Sequence, residues 1–147
     1  MSQSITFECP GSDMDVINGE YEVYEVNPPG HNPPATIIRN DQKWGARFKW
    51  TQTGASWPGE FGNKFRLKVY LEKMGGSEFD LPNSEVIQSV SINTPHDYER
   101  EIEFDAGIVP AGLYRAVAIV TYENNWGTPL PLAGFTEGIM VNFYDLP

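Results

Sequence analysis

Trp44-Gly45-Ala46-Arg47-Phe48-Lys49-Trp50-Thr51 places an apolar residue at every second position and a charged or small one between. A period of two is the mark of a β-strand with one face in a core and the other in water. Downstream, Phe65, Leu67, Val69 and Leu71 alternate with Arg66, Lys68, Tyr70 and Glu72. Tyr98, Ile102 and Phe104 alternate with Glu99, Glu101 and Glu103, leaving Arg100 as the one discordant inward position. Further strands are expected at Ala35–Arg39, Val86–Ile92, Leu113–Glu123 and Phe135–Tyr144. About seven strands at this spacing predict an all-β antiparallel sandwich.

Composition agrees with that class. The chain has 147 residues, 13% aromatic, with 14 Gly and 12 Pro, a mixture that favours strands and turns over helices. A domain of this length buries enough surface to stand without a disulfide or metal staple, and the single cysteine, Cys9, allows no internal disulfide. The net charge of −10 argues against general nucleic-acid binding, which needs a basic face that releases counterions. No window approaches the length of a membrane span. Met1–Asp13 has neither the basic stretch nor the apolar run of a secretory signal, so a cytoplasmic location is expected.

Charge is unevenly distributed. Residues 1–33 hold six acids and no Lys or Arg, and Arg39–Lys73 holds eight of the ten bases. The acidic stretch ends in Asn27-Pro28-Pro29-Gly30-His31-Asn32-Pro33-Pro34, whose prolines fix φ and remove backbone donors. Residues 1–34 therefore read as an extended, acidic, Pro-rich arm, and residues 35–147 as the sandwich domain. The carboxylates of the arm have a potential partner in the chain's own basic strands.

Ile108-Val109-Pro110-Ala111-Gly112-Leu113-Tyr114-Arg115-Ala116-Val117-Ala118 resembles the turn into the sixth strand of fibronectin type III and other immunoglobulin-like domains. The resemblance spans about residues 35–147 and is one of fold. It implies that Trp50 is the core tryptophan of such domains and that the second strand lies beside the fifth. Arg47 and Lys49 would then neighbour Glu99, Glu101 and Glu103, which relieves three like charges on one strand face. The resemblance implies no activity.

Enzyme chemistry finds no constellation, and a non-enzymatic protein is expected. No Cys/His grouping has metal-ligand spacing, so no metal or other cofactor is expected. His96-Asp97 are adjacent on an extended chain and so point to opposite sides. Asp13-Met14-Asp15 followed by Asn18-Gly19-Glu20 fails the calcium-loop pattern, which needs an oxygen ligand and a Gly where Ile17 and Asn18 stand.

Two regions remain as binding candidates. Thr53–Asn63 carries Trp57 and Phe61, and Asn124–Gly134 carries Trp126, Leu130 and Leu132, both on Gly/Pro-rich loops. In an immunoglobulin-like order the loops after the second and sixth strands emerge at one end, bringing Trp57, Phe61 and Trp126 together with Asn63, Asn124 and Asn125 as polar handles. Such aromatics suit a protein interface, or as the alternative a sugar-stacking platform, unless they fold inward as core caps. The second region is Leu113–Glu123, apolar on both parities. Either Tyr21–Val26 covers its outer side, or Val117 and Ile119 meet another chain in self-association. The expected function is that of a protein-interaction or assembly component.

Overall fold

The computed structural model describes residues 2–9, 14–26, 34–55 and 57–146. Among them are β1 (Ser2–Ser4), β2 (Thr6–Glu8), β3 (Met14–Glu25), β4 (Ile37–Arg39), β5 (Trp44–Gly54), β6 (Lys64–Lys73), β7 (Glu78–Phe79), β8 (Glu85–Ser89), β9 (His96–Phe104), β10 (Gly112–Glu123), β11 (Pro129–Phe135) and β12 (Ile139–Tyr144). A one-turn helix, α1 (Trp57–Glu60), interrupts the series. One sheet runs β1-β3-β5-β9. In the other, β6 and β10 lie at the centre, β7 and β8 flank β6, and β12 and β11 share the far edge of β10, followed by β4 and β2.

This is an immunoglobulin-like β-sandwich. The order β3-β5-β9 corresponds to strands A, B and E of that fold, and β6, β10 and β11/β12 to C, F and G. At the entry to β10 the Tyr114 hydroxyl donates to the Pro110 carbonyl at 2.9 Å, a tyrosine corner of the kind found in immunoglobulin-like domains. Trp50 is buried, stacked on Tyr98 at 4.8 Å and edge-on to Phe65 at 5.4 Å. A second aromatic group, Trp44 with Phe104 and Phe143, fills the opposite end of the core. Between them β10 carries only the small Ala116 and Ala118 together with Val120, and the Tyr21 hydroxyl crosses the core to donate to the Ala116 carbonyl. Burial pushes the Tyr21 phenol up to about 12.

The expected pairing of β5 with β9 is present: Arg47 lies opposite Glu101 and Lys49 opposite Glu99. Arg47 Nε reaches Glu101 Oε1 at 2.9 Å, while its Nη1 binds Glu22 from β3 on the other side. The acidic stretch thus meets the basic strands as a paired neighbour, with Glu20 also opposite Lys49. Arg100, the discordant residue, donates across the open side of the sandwich to Gln88 Oε1 at 2.8 Å.

Three features differ from the sequence reading. First, residues 14–25 are not an arm ahead of the domain but a long strand of the first sheet, burying Met14, Val16, Tyr21 and Val23. Their apolar parity switches because Asn18-Gly19 forms a bulge between the Ile17 and Glu20 pairs, with Asn18 at φ 53°. The expected Pro-rich connector over residues 27–33 lies outside the described residues. Second, Asn124–Gly134 is not one long loop, because Pro129–Phe135 forms β11 and Leu132 enters the core. Third, β11 and β12 are separated on the β10 edge by residues 136–138, with Gly138 at φ 101°. Thr136 Oγ1 accepts from the Ala118 amide at 3.1 Å there, and the Gln3 side chain both donates to and accepts from the Gly138 backbone.

The segment β1–β2 clips the two sheets together. β1 pairs with β3, β2 pairs with β11, and Ile5 between them is buried. Phe7 is wedged between two glycines: a Cβ on Gly19 would lie 2.3 Å from one edge of its ring, and a Cβ on Gly134 2.5 Å from the other. With both sides occupied the ring has nowhere to retreat. Gly134→Ala is therefore expected to cost about 1–3 kcal/mol in urea unfolding, the usual penalty of overpacking. In a Phe7→Ala background the same substitution should cost clearly less, a coupling that a double-mutant cycle reads directly.

Candidate functional site

The ends of β5, β8 and β10 and the starts of β6, β9 and β11 gather at one pole of the sandwich, because β6 lies antiparallel to β10 with Lys64 opposite Glu123. A buried polar floor underlies this pole. The Tyr98 hydroxyl donates to Gln52 Oε1 and accepts from the Ser91 amide at 2.7 Å, and Gln52 Nε2 donates to the Ser91 carbonyl at 3.2 Å. Asn63 Nδ2 donates to the Tyr122 hydroxyl at 2.6 Å, while the Asn63 carbonyl accepts from the Val90 amide. Burial raises both phenol pKa values, so these hydroxyls stay protonated and available as donors. Asn63 is therefore a structural brace; its expected role as an exposed polar handle does not hold.

On this floor the three loops touch in sequence. A Cβ on Gly59 of α1 would sit 2.4 Å from the Ser91 carbonyl oxygen, so only a glycine lets the helix approach the β8–β9 loop. A Cβ on Gly62, at φ +73°, would lie 3.3 Å from Asn125 Cγ of the β10–β11 turn. The two loops singled out from the sequence do meet at one end.

The β10–β11 turn is internally braced. Asn124 Oδ1 accepts from the Trp126 and Thr128 amides, both at 2.9 Å, and the Asn124 backbone exchanges bonds with Thr128 and Gly127 at 3.0 Å. A side-chain carbonyl bonding the backbone two residues on is the habit that suits Asn to turns. At the tip of this turn Trp126 is 85% exposed, and Asn125 beside it is also exposed. Phe61 is 67% exposed at the end of α1. Trp57 opens α1, but its side chain lies outside the described residues. Leu130 is half-buried against the core rather than part of this surface.

One member was missed by the sequence reading. The sequence pattern places Ile92 in a strand over Val86–Ile92, but β8 ends at Ser89 and leaves Ile92 on the loop, 57% exposed. Its hydrophobicity was the signal, and continuity with the preceding apolar residues concealed it.

His96 packs edge-on against Tyr98 at 4.5 Å, while Asp97 accepts from Thr51 Oγ1 at 2.7 Å, so the adjacent pair diverges into separate interactions. Among the described residues no group of three or more His, Cys, Asp or Glu side chains could hold a metal. No helix among the described residues is long and apolar enough to cross a membrane.

The two outer faces differ in charge. On the first sheet the outward positions carry Asp15, Glu20, Glu22, Asp97, Glu99, Glu101 and Glu103 against Arg47 and Lys49. On the second, Glu8, Glu72, Glu78, Glu85 and Glu123 are matched by Arg39, Lys64, Arg66, Lys68 and Arg115. Arg66 is held by Glu123 in a bidentate pair at 2.9 and 3.2 Å and by Glu85. Val117 and Ile119 lie half-buried at the middle of this second face. The cover expected from Tyr21–Val26 is absent, because Tyr21–Glu25 belong to β3 in the opposite sheet, on the inner side of β10.

Comparison with known proteins gives a likeness of fold. No protein-family model matches the chain, and no curated protein sequence does. Among solved structures it is similar to the C-terminal domain of wzt, with a TM-score of 0.60 and 11% identity over 99% of this chain and 80% of that one. An immunoglobulin-like protein from Pseudomonas aeruginosa is similar more loosely, with a TM-score of 0.41 and 14% identity over 92% of this chain and 100% of that one. The chain's own strand order is that of an immunoglobulin-like β-sandwich.

Proposed function

We propose that the protein is a non-enzymatic interaction or assembly component that recognises a protein partner through the pole bearing Phe61, Ile92 and Trp126. The observation that carries this reading is an indole 85% exposed on a turn whose backbone is tied down by Asn124. A hydrophobic ring held rigidly in water gains nothing for the fold. Held in the same way for a partner, it loses little conformational freedom on binding, and tryptophan leads the residues that dominate interface energies.

The sugar-platform reading uses Trp126 with Asn125. The neighbouring Ile92 and Phe61 favour protein over sugar, because they add apolar area without the convergent polar groups that fix a small polar ligand.

Trp126→Ala and Phe61→Ala are each expected to leave urea stability within about 0.5 kcal/mol of the parent, as exposed substitutions do. Both should abolish recovery of a discrete complex from native extract by the tagged chain. Unchanged recovery by both variants contradicts the reading, and specific hits on a glycan array would transfer the same surface to the carbohydrate alternative. Asn124→Ala, which keeps the ring but loosens the turn, is expected to weaken capture while costing only about 0.5–1.5 kcal/mol of stability for the lost hydrogen bonds. Calorimetry on the recovered partner would show the loss as a less favourable binding entropy.

A further inference from the structure

β10 is apolar on both faces, and only the inner one is accounted for by the core. We infer that the outer face of the second sheet is a self-association surface, covered in solution by the same face of a second copy. Cross-strand register brings apolar positions together: Tyr70 is opposite Val117, Ile119 is opposite Phe135, and Met140, itself opposite Arg115, is the diagonal neighbour of Leu113. Phe135, Leu113 and Met140 are 47%, 46% and 39% exposed. A contiguous apolar patch on a folded surface marks a contact.

Size and charge say what covers it. The face is five strand positions wide, counting from β8 to β2. At about 4.8 Å between strands and 3.3 Å per residue over the ten paired residues of β6 and β10, it spans roughly 20 by 30 Å, about 600 Å² in projection, on the order of the ~800 Å² per partner of a standard interface once side-chain relief is included. A face built for an oppositely charged partner carries an excess of one sign. One that meets its own copy must not, because each charge also appears across the two-fold axis. Here the acids and bases are equal in number, whereas the first sheet has seven acids to two bases on its outer face. With a net charge of −10 on the chain, the balanced face is the one through which two copies can approach without repulsion.

Light scattering of the intact chain at roughly 100 µM, above the micromolar end of standard-size interfaces, should give twice the 16.5 kDa of one chain. A mass of 16.5 kDa at that concentration overturns the inference. Phe135→Lys and Met140→Lys, prepared separately so that misfolding of one leaves the other informative, should each return the mass to that of one chain with the far-ultraviolet spectrum unchanged. A dimer that persists in a folded variant places the contact elsewhere and also overturns it. Trp126→Ala should leave the dimer intact, which separates this surface from the loop pole.

Discussion

Everything at the loop pole depends on the register between β6 and β10. Ten residue pairs, from Tyr114 opposite Lys73 to Glu123 opposite Lys64, run without a break. Because side chains alternate, a slip of one residue would exchange Phe65, Leu67, Val69 and Leu71 for Arg66, Lys68, Tyr70 and Glu72 in the core. The correct register therefore has the whole aromatic core behind it. It also fixes where the strands end: Asn63 reaches Tyr122, and the open side of Gly62 faces Asn125. The meeting of the two loops is a consequence of core packing rather than of any attraction between the loops themselves.

The surface divides into regions with different physical tasks. On the first sheet Arg47 is enclosed by Glu22 and Glu101 and lies over the Tyr24 ring at 4.7 Å, so the cation there is already engaged. Burial and the nearby Glu101 carboxylate both raise the Tyr24 pKa, keeping the phenol neutral beneath these charges. The edge strand β9 beside them carries Asp97, Glu99, Glu101 and Glu103, charges that discourage edge-to-edge pairing with another chain. What this side excludes, the loop pole and the balanced face leave open.

Much of this was legible in the sequence. The alternation of β5, β6 and β9 gave their inner faces directly, and the complement of Arg47 and Lys49 with Glu99 and Glu101 anticipated a pairing that the structure contains. Other elements were hidden by a break in parity. Met14 and Val16 face inward at even positions, Tyr21 and Val23 at odd ones, and only the bulge at Asn18-Gly19 reconciles them. In the same way Leu132 and Gly134 give way to Ile139, Val141 and Phe143 across residues 136–138. Pro129 and Pro131 further disguised β11 as loop. Burial of Asn63 and exposure of Ile92 follow from three-dimensional contacts of the β8–β9 loop, which no local pattern records.

A rigid core register brings the β5–β6 and β10–β11 loops into contact at a preformed pole. Solution NMR tests this most directly through the nuclear Overhauser effect between the Gly62 α-protons and the Asn125 side chain. A clear cross-peak is expected in the free protein, because a Cβ on Gly62 would lie only 3.3 Å from Asn125 Cγ. Absence of that peak, with Asn125 showing contacts only within its own turn, would contradict this arrangement.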